Sequence, residues 1–292
     1  FIFKDPLSKE ELDIILRKES FKDYDFMSGD HFSFNEFGDF LKEKYNMINI
    51  NNQLHFYEDD IYKSGDEKIE RIMIKNISNL KQSQRSEVLA YLKITKGKEA
   101  TLSKASLICF KNGIYDVYED ELLEHSPEYI ITNKINWNYN EDAYSEILDK
   151  ALDDFSCNNH EVRMLLEEMV GYTLFARNEL GKAFILVGEG SNGKSTFLSM
   201  IRKMLGSSNY SSLDLSRLND RFSIVRLFGK LANLGDDISD DYIPDTSDFK
   251  KIVTGESIEA EEKGKPKFNF LPHAKLVFSA NSIPRMGKSK SS

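Results

Sequence analysis

The sequence is poor in the residues that build disulfide frameworks, metal centres and membrane spans. Its two cysteines, Cys109 and Cys157, lie far apart, and its five histidines are scattered. Neither set has metal-ligand spacing, so we predict reduced, inert thiols, as in a cytosolic protein, and no zinc ligation. No apolar run approaches the roughly 20 residues of a membrane helix, and no signal peptide is visible. These features argue against a secreted disulfide scaffold and against a membrane protein.

Acidic residues outnumber basic ones, and the formal net charge is -9. This balance argues against a protein coated with nucleic-acid-binding charge, although a narrow basic feature could still face DNA. A content of 40% hydrophobic and 30% charged residues suits a globular protein of about two domains. The sequence begins at Phe1 and ends in Gly-Lys-Ser-Lys-Ser-Ser. We therefore expect it to be a fragment of a longer protein.

Residues 1–178 show amphipathic stripes interrupted by two hairpin patterns. Capping-box sequences at Ser8 and Ser33 predict two helix starts. The pattern predicts helices over 8–18, from 33, and over 69–80, 88–92, 142–155 and 161–175, and hairpins over 54–62 and 107–117. We predict a helical segment or linker over 1–50 and a mainly helical α+β domain over 51–178. Strands, glycine loops and helices then alternate, which predicts an α/β domain over 179–292.

The strongest motif is Gly188-x-x-x-x-Gly193-Lys194-Ser195, which matches the phosphate-binding loop pattern in full. It follows an apolar run that we interpret as a buried strand, and it precedes residues with helical spacing. Glycines let backbone N–H groups converge on a phosphate at a helix N-terminus. Lys194 adds a full charge, and the Ser195 hydroxyl is a predicted Mg²⁺ ligand. The predicted nucleotide-binding residues are Gly188, Glu189, Gly190, Ser191, Asn192, Gly193, Lys194, Ser195 and Thr196.

An acidic pair, Asp236-Asp237, follows a predicted core strand at 231–235. At a strand end, one carboxylate can hold Mg²⁺ and the other can polarise the attacking water. Asp240 and Asp241 follow closely, so a solvated acidic loop is the alternative. Downstream of a phosphate loop, the catalytic interpretation is favoured, with Asp236 as the metal ligand.

Two further features lie downstream of the acidic pair. Asn281 ends a predicted strand at 275–280, where an amide can orient water near a γ-phosphate, although an Asn there is usually a turn residue. A predicted hairpin over 257–270 has a turn with three lysines, Lys263, Lys265 and Lys267. In an otherwise acidic protein this turn is either a solvated tip or a contact for DNA.

Together these motifs resemble those of superfamily 3 helicases. The resemblance is closer to the C-terminal half of phage and plasmid primase-helicases, a group that includes the poxvirus primase-helicase. It rests on GEGSNGKST, on 221–233, on IVTGESIEAEEKGKPKF and on KLVFSANSIP, and upstream on the stretch from FKNGIYDV to GYTLFARN. It covers roughly residues 50–292. The implied fold is an α/β P-loop NTPase of AAA+ type, a superfamily 3 helicase core, preceded by the mainly helical α+β domain.

The resemblance also implies site roles and partners. It makes Lys194, Asp236, Asp237 and Asn281 catalytic, with ATP and Mg²⁺ as cofactors. It implies that the lysine hairpin grips single-stranded DNA in the pore of a hexameric ring, with a primase module in the full-length protein. An arginine finger from a neighbouring subunit follows the sensor strand in this family; only Arg285 follows Asn281, so we expect the finger beyond Ser292. A cytoplasmic location, in a bacterial host or an infected cell, is expected.

These observations favour an ATP-driven DNA helicase of phage or mobile-element replication. The alternative is an ATP-gated, DNA-binding replication initiator in which nucleotide sets assembly and unwinding is negligible. A GTPase is disfavoured because Asn133-Lys134-Ile135-Asn136 lacks the final Asp of the base-recognition pattern. A small-molecule kinase would not need the acidic pair, the lysine hairpin and Asn281 together.

Overall fold

The structure is a computed structural model, and it describes residues 26–28, 31–190, 192–238, 245–264, 267–285 and 287. These residues form two compact units. One unit contains the described residues up to Phe56 together with Ser64–Glu99, and the other contains Tyr57–Lys63 and the described residues from Ala100 onward. The predicted three-part division at residues 50 and 178 stays a prediction.

The first unit combines three helices with short strands. Its helices are α1 (Phe34–Lys44), α2 (Asp66–Asn76) and α3 (Gln82–Thr95). Strands β1 (Met27–Ser28) and β2 (His31–Phe32) pair with each other. Strands β3 (Ile48–Ile50), β4 (Gln53–Glu58), β5 (Ile61–Ser64) and β6 (Lys98–Glu99) form a sheet in the order β5-β4-β3-β6. The end of β4 and most of β5 belong to the segment Tyr57–Lys63, which is counted with the second unit. Apolar side chains at helical spacing, including Phe37, Leu41, Met73 and Leu92, fill its core.

The second unit begins with a small sheet and two helices. Its strands are β7 (Leu107–Phe110), β8 (Gly113–Asp116), β9 (Glu121–Leu123) and β10 (Lys134–Ile135), in the order β10-β7-β8-β9. The helices are α4 (Glu146–Phe155) and α5 (His160–Tyr172). Tyr57–Lys63 is an excursion of the chain, a segment that interrupts the first unit in sequence and belongs to the second. It is bonded to the second unit, because the Tyr62 hydroxyl donates to the Pro127 carbonyl at 2.7 Å and the Tyr62 amide donates to the Ile131 carbonyl at 2.8 Å.

A parallel four-stranded sheet organises the rest of the second unit. It contains β11 (Phe184–Val187), β12 (Tyr210–Ser211), β13 (Ala232–Ile238) and β16 (Lys275–Ala280), in the order β11-β16-β13-β12. Every residue of β16 is buried, as expected for a central strand of a parallel sheet. The remaining elements are α6 (Lys194–Leu205), α7 (Arg221–Ile224), α8 (Ser247–Thr254), two 3₁₀ turns (Leu215–Arg217 and Val225–Leu227), and the hairpin strands β14 (Ile258–Ala260) and β15 (Phe268–Phe270).

The predicted elements within the described residues are confirmed in type, but several details are wrong. Ser33 precedes α1 without capping it, because its hydroxyl donates to Asn35 instead. The stripe at 69–80 is not one helix, since α2 ends at Asn76. The helix predicted from residue 142 begins at Glu146, after the N-cap Ser145. The helix predicted over 8–18 lies outside the described residues.

The strand before the glycine loop also differs from the prediction. We expected a buried strand, but within the described residues β11 lies at one end of the sheet. Its residues are half-buried, and Val187 is 46% exposed. Apolar composition predicted the strand correctly but could not distinguish an outer position from a central one.

Both cysteines, Cys109 and Cys157, are free thiols, and burial raises the pKa of the Cys109 thiol to about 11. This thiol is therefore protonated, and unreactive, at neutral pH. None of the described helices has the length and apolar character needed to cross a bilayer.

A buried lysine, Lys275, is the first residue of β16, and it should make the stability of the protein depend on pH. Its ammonium donates to the Phe175 and His273 carbonyls and lies 4.8 Å from the centre of the Tyr172 ring. Burial lowers its pKa to about 7. Above that pH the folded protein loses a proton that the unfolded chain keeps, so the free energy of unfolding rises with pH.

We expect Lys275→Met to remove this pH dependence. Between about pH 7 and pH 9, the free energy of unfolding of the wild type should gain roughly 2 kcal/mol relative to the variant. Urea titrations at several pH values measure the difference. Lys182→Met, at an exposed lysine before β11, is the control and should follow the wild type. Parallel pH profiles for the wild type and Lys275→Met would contradict the prediction.

Candidate nucleotide-binding site

Part of the predicted site lies together at the carboxyl ends of the parallel strands β11, β13 and β16. Val187 of β11 pairs with Ala280 of β16, and the Gly188 amide donates to the Ala280 carbonyl at 3.3 Å. The glycine loop therefore starts beside the end of β16. In open α/β sheets, ligands bind in this position, outside the carboxyl ends of the strands.

The loop from Gly188 to Gly193 joins β11 to α6, as predicted. The Lys194 ammonium donates to the Gly188 carbonyl at 2.6 Å, the Glu189 carbonyl at 3.0 Å and the Asn192 side-chain oxygen at 3.0 Å. The loop thus curves around the lysine, and the positive charge lies at the N-terminus of a 12-residue helix. Both features favour an anion at this place.

Gly188 leaves space for a side chain of the same loop. A Cβ at this position would collide with the amide nitrogen of the Asn192 side chain. The Asn192 side chain occupies that space while its oxygen accepts from Lys194. The motif's first glycine therefore makes room for the side chain that contacts the lysine.

Ser195, Asp236 and Ser279 converge next to the loop. The Ser195 hydroxyl donates to Asp236 Oδ1 at 3.1 Å, and the Ser279 hydroxyl donates to the same oxygen at 2.6 Å. The pairing of β13 with β16 shifts between Gly235 and Ile238, so the acidic pair lies in an irregular part of the strand. Such irregularities redirect side chains, and they are common beside active sites.

The donor set can be tested against Mg²⁺. Ser195 and Asp236 supply a hydroxyl and a carboxylate within 3.1 Å of each other. Mg²⁺ is commonly held by one or two protein oxygens, with waters and substrate phosphates completing its shell. In the described part of the chain there is no cluster of three or more His, Cys, Asp or Glu side chains that could hold a metal by itself. The residues fit a metal that is shared with a nucleotide.

Other predicted site residues are placed less completely. Asn281 is exposed directly after β16, next to the start of the glycine loop. The backbone of Asp237 belongs to β13, but its side chain lies outside what the structure describes. Ser191 and Lys265 also lie outside the described residues. Thr196 and Gly190 are exposed on the first turn of α6 and on the loop, respectively.

The lysine hairpin forms as predicted. Ile258 pairs with Phe270 and Ala260 with Phe268, so β14 and β15 are antiparallel. Lys267 is bonded to Glu259 across the hairpin at 2.7 Å, whereas Lys263 is exposed at the turn. The start of the hairpin turn is connected to α7, because Arg221 forms an ion pair with Glu261 at 3.1 Å. Lys263 is therefore the better placed of the two described lysines to meet a phosphate.

Sequence reasoning missed Ser279 and the specific role of Asn192. Ser279 is buried and bonded to Asp236. Side chains alternate along a strand, so residues 279 and 281 lie on the same face. The prediction that Asn281 belongs to the site could therefore have been extended to Ser279. Asn192 was predicted only as a loop residue. No sequence pattern indicates that its amide fills the space above Gly188.

The fold and site define a class of protein: a mixed α/β protein with a parallel sheet and a strand–glycine loop–helix unit at the sheet's carboxyl edge. The family model described as "D5 N terminal like" matches residues 9–157, about half of the chain. The chain belongs to this family. A second model, described as a family of unknown function (DUF5906), matches residues 186–292, which include the site.

Solved structures share the fold. Two apo structures of the NrS-1 C-terminal region superpose with TM-scores of 0.56 and 0.54, each at 12% sequence identity. They cover 93% and 87% of this chain, but the chain spans only 60% and 58% of theirs. A third apo structure of that region has a TM-score of 0.53 at 13% identity, over 85% of this chain and 59% of the other. No curated protein matches the chain.

Proposed function

We propose that the chain is the C-terminal part of a phage-type primase-helicase, a P-loop ATPase of superfamily 3 that couples ATP hydrolysis to movement along single-stranded DNA. One observation carries the proposal: Ser195, at the start of α6, meets Asp236, at the end of β13, beside a glycine loop curved around Lys194. This arrangement supports the proposal because an ammonium, a hydroxyl and a carboxylate, which are suited to bind phosphate and Mg²⁺, lie close together. Membership of the D5 N terminal like family and the shared fold support it.

In this proposal the loop binds the nucleotide. Backbone N–H groups of residues 188–193 and the Lys194 ammonium bind phosphate oxygens, replacing the loop carbonyls that Lys194 now contacts. Ser195 and Asp236 would hold Mg²⁺, which supplies charge neutralisation between the phosphates when bound. Ser279 keeps the Asp236 carboxylate in one orientation by donating to it.

The remaining site residues act on water and DNA. Asp237 polarises the attacking water, and Asn281, beside the loop, orients it. Lys263 and its neighbours at the hairpin turn bind the DNA phosphates. Self-association into a ring would let a neighbouring subunit supply the arginine finger, because charge develops on the γ-phosphate oxygens during transfer.

One experiment tests the proposal most directly: ATPase activity with and without single-stranded DNA, measured together with native mass on the chain and on a form extended past Ser292. The expected result is Mg²⁺-dependent hydrolysis that single-stranded DNA stimulates in the extended, oligomeric form. A protein that binds no ATP in either form would refute the proposal.

The second candidate function is an ATP-gated replication initiator. The acidic composition favours it, because a net charge of -9 limits nonspecific contact with DNA. Strand displacement on a forked substrate separates the two candidates. ATP-dependent oligomerisation with hydrolysis but without displacement would favour the initiator.

The hairpin gives a separate prediction. We expect replacement of Lys263, Lys265 and Lys267 by Ala to weaken single-stranded DNA binding without changing ATP binding. The salt dependence should become shallower by roughly one unit of slope for each lysine–phosphate pair that the substitutions remove. Because Lys267 is already bonded to Glu259, Lys263→Ala alone should have a larger effect than Lys267→Ala. Binding titrations at several salt concentrations measure this, with the exposed Lys111→Ala as control. An unchanged slope of affinity against salt concentration would show that the turn lysines are only solvated and do not contact DNA.

A further inference from the structure

We infer that Phe155, the last residue of α4, is a positioning residue that holds the phosphate loop in its binding shape. This inference rests on the proposed function and deepens it. Phe155 lies in the segment matched by the D5 N terminal like model, and the loop lies in the segment matched by the second model. The contact therefore connects the nucleotide site to the preceding part of the second unit.

The ring of Phe155 lies directly over Gly193. A Cβ on Gly193 would be 2.5 Å from Cε1 and 2.8 Å from Cδ1 of that ring. Gly193 has a φ of +85° and is the N-cap of α6. Its conformation and the ring above it both exclude a larger side chain. The last glycine of the motif therefore has two roles: it adopts the positive φ of the turn, and it leaves space for the Phe155 ring of α4.

Phe155 also contacts the helix that follows the loop. Its ring packs edge-on against Phe197, with centroids 5.5 Å apart and an interplanar angle of 75°. Phe197 is buried in the first turn of α6, in a core that includes Leu198 and Ile201. Phe155 therefore bridges the end of the loop and the start of the helix whose N-terminus faces the phosphates.

An ion network fixes the helix that carries Phe155. Arg163 of α5 donates to Asp149 and Asp153 of α4, the latter at 2.6 Å, and to Glu167 of its own helix at 3.0 Å. The hydrogen bonds from Arg163 lower the pKa of Asp149. Helix α5 is anchored in turn, because Leu166 and Met169 are buried in the core that contains Phe197. The helix that carries Phe155 is thus held by α5 in addition to its contacts with the loop and with α6.

A glycine loop has many conformations, and a ligand that needs only one of them binds more weakly when the others are populated. A ring held over Gly193 restricts those conformations before ATP arrives. We therefore expect Phe155→Ala to raise the KM and Kd for ATP by about tenfold while kcat changes less than about threefold. Phe155→Tyr, which keeps the ring, should restore binding, and Phe155→Leu should be intermediate.

A matched control separates positioning from a general decrease in stability. Phe110 is also partly buried against the same core, but it packs on Tyr139, away from the loop. Phe110→Ala should lower the unfolding midpoint and leave ATP affinity unchanged. An equal decrease of ATP affinity in both alanine variants would overturn the inference.

A double-mutant cycle between positions 155 and 193 tests the contact itself. Gly193→Ala should lower the unfolding midpoint less in the Phe155→Ala background than in the wild type, because the ring that its Cβ meets is gone. Equal effects of Gly193→Ala in both backgrounds would overturn the inference. The cycle is measured without nucleotide, so it remains informative if the wild type binds no ATP, a result that would refute the proposed function instead. If the wild type and Phe155→Ala bind ATP equally well, the positioning role fails and the proposed function stands.

Discussion

Lys194→Ala is expected to abolish tight ATP binding. In the described part of the loop, Lys194 is the residue whose ammonium lies among the loop carbonyls, bonded to Gly188, Glu189 and Asn192. Removing one partner of a close charge pair costs about 2–5 kcal/mol. ATP affinity should therefore fall by at least about thirtyfold. Equilibrium titration with a fluorescent ATP analogue measures the change.

Lys203→Ala is the matched control for this prediction. Lys203 is exposed in the last turn of the same helix, α6. It should bind ATP as the wild type does, and both variants should keep similar unfolding midpoints. Near-normal ATP affinity in Lys194→Ala would contradict the proposal that the glycine loop binds the nucleotide.

Asp237→Asn is expected to keep ATP binding and to lose turnover. A group that acts on the attacking water as a base contributes about 10²–10⁴-fold to the rate. The amide keeps the size of the side chain but cannot accept the proton. Single-turnover hydrolysis and ATP affinity, measured in parallel, separate the chemical step from binding.

Two further Asp→Asn variants show whether the loss of turnover is specific to Asp237. Asp214→Asn changes an exposed carboxylate before a 3₁₀ turn and should retain full turnover. Asp240→Asn, outside the described residues, should also remain active. An active Asp237→Asn together with an inactive Asp240→Asn would show that the catalytic carboxylate belongs to the later acidic residues.

Local patterns predicted the order of elements well because each element is encoded in its own residues. Apolar spacing identified α6, and apolar runs identified β13 and β16. The glycine motif identified the strand–loop–helix unit for the same reason. These features depend on periodicity and turn chemistry within one segment.

Interactions between distant segments were not predictable in the same way. The bond from Ser279 to Asp236 joins two strands through a register irregularity, and the ring of Phe155 reaches Gly193 from a separate helix. No local pattern encodes either interaction. The outer position of β11 was missed because strand order is a property of the whole sheet. The sequence therefore allowed a prediction of the candidate site residues, but it did not allow a prediction of the contacts between them.

The excursion Tyr57–Lys63 has a consequence for dividing this protein into parts. The chain leaves the first compact unit after Phe56 and returns to it at Ser64, so no single peptide-bond cut separates the two units. A protein shortened to residues 100–292 would lack the Tyr62 groups that donate to the Pro127 and Ile131 carbonyls, and the Asp60 carboxylate that pairs with Lys134 at 2.5 Å. Cleavage after residue 99 would leave those groups on the N-terminal fragment, so the two fragments should stay associated until they are denatured. A fragment that carries the candidate nucleotide site should therefore keep residues 57–63, which requires shortening the first unit and not deleting residues 1–99.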